Sequence, residues 1–477
     1  MIALALATLL AFPGCEGFGC ETPGGRGGRV IFVTSLADSG PGTLREAIDT
    51  PGARTVVFRL GGLLTLESPL VVREPFLTIA GQTAPGSGVL IRNKVAAPLG
   101  QAIDSFTSLV IQTHDVVVRH LAIRPGIWPE NPLCTGKNKL PAPYGSCVDA
   151  NDVQAIGLEA GAERIVLDHL SLAYGTDEII GIAGAKDVTI QWTLVADGFK
   201  TFPYCGLWTR CAQYRGMGII TGNIGSTQAG YPTTRLTLHH NLFANVMARA
   251  PQAGAAISDV RANVSYNWAD YALDAHNVLG SVAANLVANV FIPGPDTVGG
   301  ARERGFMVHD WNLRPETLDP KATLSLHIAD NVGAVPYCIR ANAANSWDKV
   351  DCALYAAPPV ETPPVTLEPN ILAAVLAGAG ASLRLDATGH LVPRRDAHDL
   401  RTVEQVRSRT GHAPSHRAPI AWPKVTKRSV YSDGDKDGMP DEWERERGLK
   451  RSVADGHLDR DGDGYTNLDE FLGGTEP

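Results

Sequence analysis

Two acidic runs near the C-terminus carry a sharp chemical pattern. Asp433, Asp435, Asp437, Gly438, Asp441 and Glu444 fall at positions one, three, five, six, nine and twelve of a calcium loop. Asp459, Asp461, Asp463, Gly464, Asn467 and Glu470 repeat that spacing. Calcium takes several hard oxygen donors, the glycine allows the sharp bend, and the last glutamate closes the shell. The implied cofactor is Ca2+; a solvated acidic tail is the bland alternative. A second stretch with chemical potential is His239-His240-Asn241-Leu242-Phe243 followed by Arg249-Ala250-Pro251, which sets a fixed cation just beyond a strand.

A repeat supplies the scaffold. Asn241-Leu242-Phe243-Ala244-Asn245-Val246, Asn263-Val264-Ser265-Tyr266-Asn267-Trp268 and Asn285-Leu286-Val287-Ala288-Asn289-Val290 share one frame, with matched asparagines 22 residues apart. Thr193-Leu194-Val195-Ala196-Asp197 and Leu170-Ser171-Leu172-Ala173-Tyr174 extend it backwards. A period near 22 with alternating, β-branched segments such as Ile165-Val166-Leu167, Val188-Thr189-Ile190 and Leu236-Thr237-Leu238 predicts a strand solenoid, one coil per repeat. The fold class expected is all-β, a parallel β-helix with a small C-terminal calcium-binding segment. Stacked coils would place each asparagine above the next as a hydrogen-bonded ladder.

The acidic tail also explains the charge. The chain carries −8 overall, and residues 431–477 hold 14 acidic and 6 basic residues, so the body is formally neutral. Without a basic stripe, nucleic acid is not an expected partner. Met1 to Ala11 is a short apolar run without Lys or Arg, read as a truncated secretory leader, with a buried N-terminal strand as the other reading. Eight cysteines fall into close pairs, Cys15 with Cys20, Cys134 with Cys147, Cys205 with Cys211 and Cys338 with Cys352. None shows zinc spacing, so disulfides and a secreted, extracellular protein are expected. No apolar stretch is long enough to span a bilayer.

Four regions follow: the leader 1–11, the solenoid 12–356, a Pro-rich linker with a helical extension 357–430, and paired calcium loops 431–477. Helical patterning over Asp399 to Arg409 is expected to cap the end of the solenoid. The loops Pro125 to Cys147 and Lys200 to Tyr231 interrupt the repeats and are expected to carry the binding surface. The short segments around the calcium loops leave dockerin-like, type-3-repeat-like and paired EF-hand geometries open, with a role in stability or in attachment to a surface or complex. A monomer is expected.

The stretch around Arg249 resembles the pectate lyase family, whose fold is a right-handed parallel β-helix and in which a strand ending His-His-Asn precedes an Arg-x-Pro motif. Further similar blocks run in order along the chain: Phe12-Pro13-Gly14 with Glu16-Gly17-Phe18-Gly19, Gly24-Gly25-Arg26-Gly27-Gly28, Ser39 to Ala47, Ile79 to Gly86, Leu167-Asp168-His169, Gly175-Thr176-Asp177-Glu178 and Pro393-Arg394-Arg395-Asp396. The resemblance implies calcium-assisted β-elimination on polygalacturonate with Arg249 as the base. It also implies catalytic calcium on acidic coil residues, here Asp177, Glu178 and Asp152. Asp168 and His169 would orient their strand and turn.

This chain departs from the pattern at Gln154 and Gly181, where acidic residues are common, and at Gly254, where a second arginine often stands. Lys200, Arg215 and His240 are then the candidates to hold substrate carboxylates, and Trp192, Trp208 and Tyr214 could stack on sugar rings. The rival readings are a noncatalytic glycan-binding or adhesin solenoid and a pectin-active glycoside hydrolase. The hydrolase would need a suitably spaced carboxylate pair. Asp177 and Glu178, adjacent on a strand, face opposite sides and do not supply one.

Overall fold

A computed structural model describes residues 9–94, 107–125, 153–199, 216–221, 233–311, 321–341, 346–354, 356–386, 388–414 and 431–477. Asp152, Lys200, Arg215, Trp208, Tyr214 and the cysteines 134, 147, 205 and 211 lie outside them. Cys15–Cys20 and Cys338–Cys352 are bonded.

Strands from successive coils stack in parallel into long sheets, giving the expected parallel β-helix. One face has ten strands, from Arg29–Val33 to Leu324–Ala329; a second has eight, from Gly62–Leu66 to Val290–Ile292. The third face begins with Leu70–Val72, runs to Met217–Thr221, and resumes from Gln252–Ala253. Registry is set by side chains that repeat at one position per coil. Val118 pairs with Leu167, Leu167 with Ile190, Ile190 with Leu238, Leu238 with Val260 and Val260 with Leu286, a buried aliphatic column. Each such side chain taken fully from water contributes about 1.5–3 kcal/mol.

The asparagine ladder forms, but on a register different from the one read in the sequence. Asn241 Nδ2 donates to Asn263, Asn263 to Asn289 and Asn289 to Asn331, each at 3.0 Å. Asn285 belongs elsewhere, opposite Asp259 on the ten-strand face. The step from Asn263 is 26 residues instead of 22, because the turn Asn277 to Gly280 lengthens that coil. Thr193 takes the position below Asn241, donating its backbone N–H to Asn241 Oδ1 at 2.9 Å. The residue before each rung, His240, Ala262, Ala288 and Asp330, has a positive φ between 52° and 59°, so the ladder sits just past a left-handed corner. Asn263→Ala should cost about 1–3 kcal/mol, read as a lower urea midpoint, since it strands the buried Asn241 N–H and Leu238 carbonyl. The same change at the half-buried terminal rung Asn331 should cost less.

The chain before the first coil lies across the outside of the ten-strand face. Gly19 N–H donates to Thr189 Oγ1 at 3.0 Å, and a Cβ on Gly19 would stand 2.3 Å from the Ile165 carbonyl, so only glycine lets this crossing close. Leu10 and Ala11, inside the expected leader, are packed here: Ala11 is buried beside Phe12, Cys15 and Cys20, and Arg26 holds both carbonyls.

The helices Ile371–Gly378 and Ala397–Ser408 cover a side of the solenoid, not its end as expected. Val375, Leu376, Val403 and Val406 pack on Leu194, Leu242, Val264 and Tyr266, an apolar column on the outer surface of the eight-strand face that needs a cover more than the coil end does. Fully buried Arg124 fastens this cover, bonding Asp396 at 2.7 Å and Asp399 at 3.0 Å. Among the described residues no helix is long and apolar enough to cross a membrane.

Candidate functional site

Arg249 sits where the chain turns from the eight-strand face into the third face, at φ +56°. Hydrogen bonds from coils on either side fix that turn: Ile219 N–H donates to the Arg249 carbonyl at 2.8 Å, and Ala250 N–H to the Ala272 carbonyl at 2.8 Å. The Arg249 guanidinium reaches back across the strand Met217–Thr221 to an ion pair with Glu178. Glu178 is almost completely buried, while the Arg249 side chain keeps 23% exposure. Removing either partner alone therefore leaves an uncompensated charge in a poorly hydrated place.

One coil above stands Tyr271, and burial pushes its hydroxyl up to about 12, so it keeps its proton at neutral pH. The 22-residue frame places Tyr271 over Arg249, Asp274 over Gln252 and His276 over Gly254. That frame was the signal that could have found them in the sequence. Gln252 Nε2 donates to Asp274 at 3.0 Å, and His309 closes on Asp274 at 2.6 Å. Burial pushes the Asp274 carboxyl up, but the His309 pairing outweighs it and holds the group well below the usual range. His276 is lowered to about 4 by burial, hence a neutral imidazole, and its buried Nε2 has no hydrogen-bond partner.

The missing second arginine has a steric reason. A Cβ on Gly254 would lie 2.3 Å from His276 Nε2 and 2.7 Å from Thr221 Oγ1. Gln154 and Gly181 are likewise matched, with the Gln154 amide occupying the space a Gly181 side chain would need.

His240 is not beside Arg249. It stacks on Trp192 at 4.3 Å, touches His239 at 2.8 Å and pairs with Glu368 at 2.5 Å, all partners that Arg249 does not share. Trp192 is sandwiched between His169 and His240 beneath Gly378, so its faces are occupied by protein. Asp168 does orient its strand and turn, holding Arg119 at 2.8 Å, His169 at 2.7 Å and Gln191 at 2.8 Å.

Of the carboxylates expected to hold catalytic calcium, Asp177 is half-buried and Glu178 is committed to Arg249. Among the described residues no three candidate ligands converge beside Arg249; Asp152, the third expected ligand, lies outside them.

In the C-terminal loops carboxylates do converge. One oxygen each from Asp433, Asp435 and Asp437 lies within 4.8 Å of the others, and the same holds for Asp437, Glu444 and Asp455, and for Asp459, Asp461 and Asp463. Asp433 Oδ1, both oxygens of Asp435, both of Glu444, Asp455 Oδ1 and Glu470 Oε2 are buried without a hydrogen-bond partner. Burial, then neighbouring carboxylates, push Glu444 up to about 8 and Glu470 to about 7; Asp437 rises to about 6, mainly through burial. Carboxylates crowded this way and without donors repel one another, so they hold protons at neutral pH or fit a hard divalent cation that replaces those protons. The loops are also braced internally: Asp441 Oδ1 accepts from Gly434 N–H at 2.7 Å, and Asn467 Nδ2 donates to the Asp455 carbonyl at 3.0 Å, which leaves Asn467 Oδ1 buried without a partner.

Fold and site together define a parallel β-helix that presents an arginine on a coil-edge turn of one face. No protein-family model matches the chain. It is 28% identical over 478 residues to the probable pectate lyase C of Aspergillus terreus, covering 99% of this chain and 96% of that protein. The probable pectate lyase C of Aspergillus flavus is 29% identical over 480 residues, 99% of this chain and 95% of that one. Among solved structures, pectate lyase II from Xanthomonas campestris aligns at 16% identity and TM-score 0.45, covering 77% of this chain and 98% of that one. Jun a 1, the major allergen from cedar pollen, aligns at 19% identity and TM-score 0.47, covering 77% and 92%. The chain is thus a relative, over nearly its whole length, of proteins named pectate lyase C.

Proposed function

We propose that the chain is a polysaccharide lyase of the pectate lyase type, cleaving polygalacturonate by β-elimination with Arg249 as the base. The observation that carries this reading is Arg249 itself, a partly exposed guanidinium fixed by a backbone turn on one face of a parallel β-helix, in a chain related to pectate lyase C across 99% of its length. In the reaction the C–H bond α to the uronate carboxylate breaks and its electron pair becomes the new double bond. The bond from the adjacent carbon to the bridging oxygen breaks, and that oxygen leaves and takes up a proton.

Arg249 accepts the α-proton. A charged guanidinium cannot do so, so the substrate complex must part Arg249 from Glu178 before proton transfer. Tyr271 keeps its own proton at neutral pH and stands one coil above Arg249. Lys200 and Arg215 remain the candidate carboxylate clamps, and Asp152 remains a candidate ligand. The protein is read as secreted and monomeric. Its calcium is read at the two C-terminal loops and, on the catalytic face, at Asp177 with Asp152 and Glu178.

Ultraviolet absorbance of polygalacturonate mixed with the protein tests the reading, with calcium and again with chelator. A rise from unsaturated uronate is expected. No rise from a folded protein with calcium present would overturn the lyase, and a reducing-end assay would then separate a hydrolase from a glycan-binding solenoid.

A further inference from the structure

The C-terminal segment is packed into the molecule. Met439, Trp443, Leu468, Phe471 and Leu472 bury themselves against Ala80 and Leu385. Arg59, just after the strand Arg54–Phe58, bonds Asp433 Oδ2 and the Tyr431 carbonyl, both at 3.1 Å, and lies 4.3 Å over the Tyr431 ring. Arg26 bonds Asp469 at 3.1 Å, and Gln82 and Arg119 both reach the Leu472 carbonyl at 3.3 Å.

Within the segment the first loop is not closed by its own twelve positions. Asp437 Oδ2 accepts from Gly456 N–H at 2.7 Å, which draws the connector between the loops inward and brings the Asp455 carboxylate to Asp437 and Glu444. Glu444 is completely buried, and neither of its oxygens has a partner. A fully buried carboxylate aimed among other carboxylates, with no donor for either oxygen, is unstable as an anion unless a cation sits between them.

We propose that Asp455, from outside either loop, joins Asp433, Asp435, Asp437 and Glu444 in one hard divalent-cation site, and that the filled site clamps the C-terminal segment onto the opening coils through Arg59. The proposal rests on the calcium reading above and goes beyond it in the ligand set and in the role. Asp433 faces both ways: Oδ1 is unpartnered and Oδ2 takes Arg59, so the cation and the β-helix share one side chain. Filling the site fixes Asp433 for Arg59 and the loop for the apolar face of Trp443. The clamp therefore uses the segment inside the molecule instead of presenting its apolar face to another surface.

Calorimetric calcium titration of the full chain after chelator treatment, compared with Asp455→Asn and with Asp461→Asn in the second loop, tests this. Trypsin digestion of each protein with and without calcium gives the second readout, at Arg447, Lys450 and Arg451. Asp455→Asn should weaken one site by ~10-fold or more and leave the other, which Asp461→Asn weakens instead. Calcium should slow cleavage of the wild type several-fold and protect Asp455→Asn only at the higher concentration its site then needs. If Asp455→Asn binds like the wild type, or if calcium leaves cleavage unchanged, the clamp is overturned. If the wild type binds no calcium, the loop reading falls with it, while the absorbance assay for the lyase is decided separately.

Discussion

Arg249→Lys should slow release of unsaturated uronate by about 10²–10⁴-fold, the range for loss of a positioned proton-transfer group, while the protein stays folded. Lysine is the informative replacement because it leaves a cation beside the buried Glu178 carboxylate and so separates chemistry from stability. An ammonium is a point charge without the planar guanidinium fork, so it pairs with Glu178 but does not place its nitrogen where the guanidinium places its own. Arg249→Ala should lose as much turnover and also unfold at lower urea, since it strands Glu178. The double variant Arg249→Ala, Glu178→Gln should recover the stability and none of the rate. Rates near wild type for Arg249→Lys would remove Arg249 as the base.

Arg124→Met should destabilise the protein by about 3–5 kcal/mol, the range for breaking a buried ion pair from one side. Arg124 is fully buried between Asp396 and Asp399 and also donates to Ser171 at 2.5 Å, so its loss leaves two carboxylates facing each other under the helix Ala397–Ser408. Urea unfolding at several pH values checks it. Burial pushes the Asp396 carboxyl up, but the charge and hydrogen bond of Arg124 outweigh this and hold it well below the carboxylate range. A depressed carboxylate contributes stability above its unfolded pKa of about 3.9, and loses it as pH falls toward the folded value. The gap between wild type and variant should therefore be full at neutral pH and narrow below about pH 4. A gap that does not change with pH would show that packing, not the ion pair, holds the cover in place.

Much of the architecture was legible because a solenoid repeats its physics. A period near 22 with β-branched alternation fixes coil, strand and ladder together, and Asn241, Asn263 and Thr193 stand where that period puts them. The frame failed at Asn285 because four residues inserted in one coil shift everything after them, and two asparagines in the same repeat made either one a plausible rung. The surroundings of His240 were hidden for a related reason. The sequence places it next to a strand end but does not say which side of the coil that corner faces, and the corner faces Trp192 and Glu368.

By itself the sequence determined what is local or periodic: the strand solenoid, the acidic loops with their glycine bends, the cysteine pairs 15–20 and 338–352, and an arginine just past a strand. Only the tertiary structure decided what meets across coils. It bound Arg249 to Glu178, set Tyr271 above it, filled the place of a second arginine with His276, and carried Asp455 into a loop it does not belong to in sequence. The physical reason is distance: hydrogen bonds and ion pairs act over about 3 Å, and which side chains come that close depends on how coils stack, which no single segment of chain encodes.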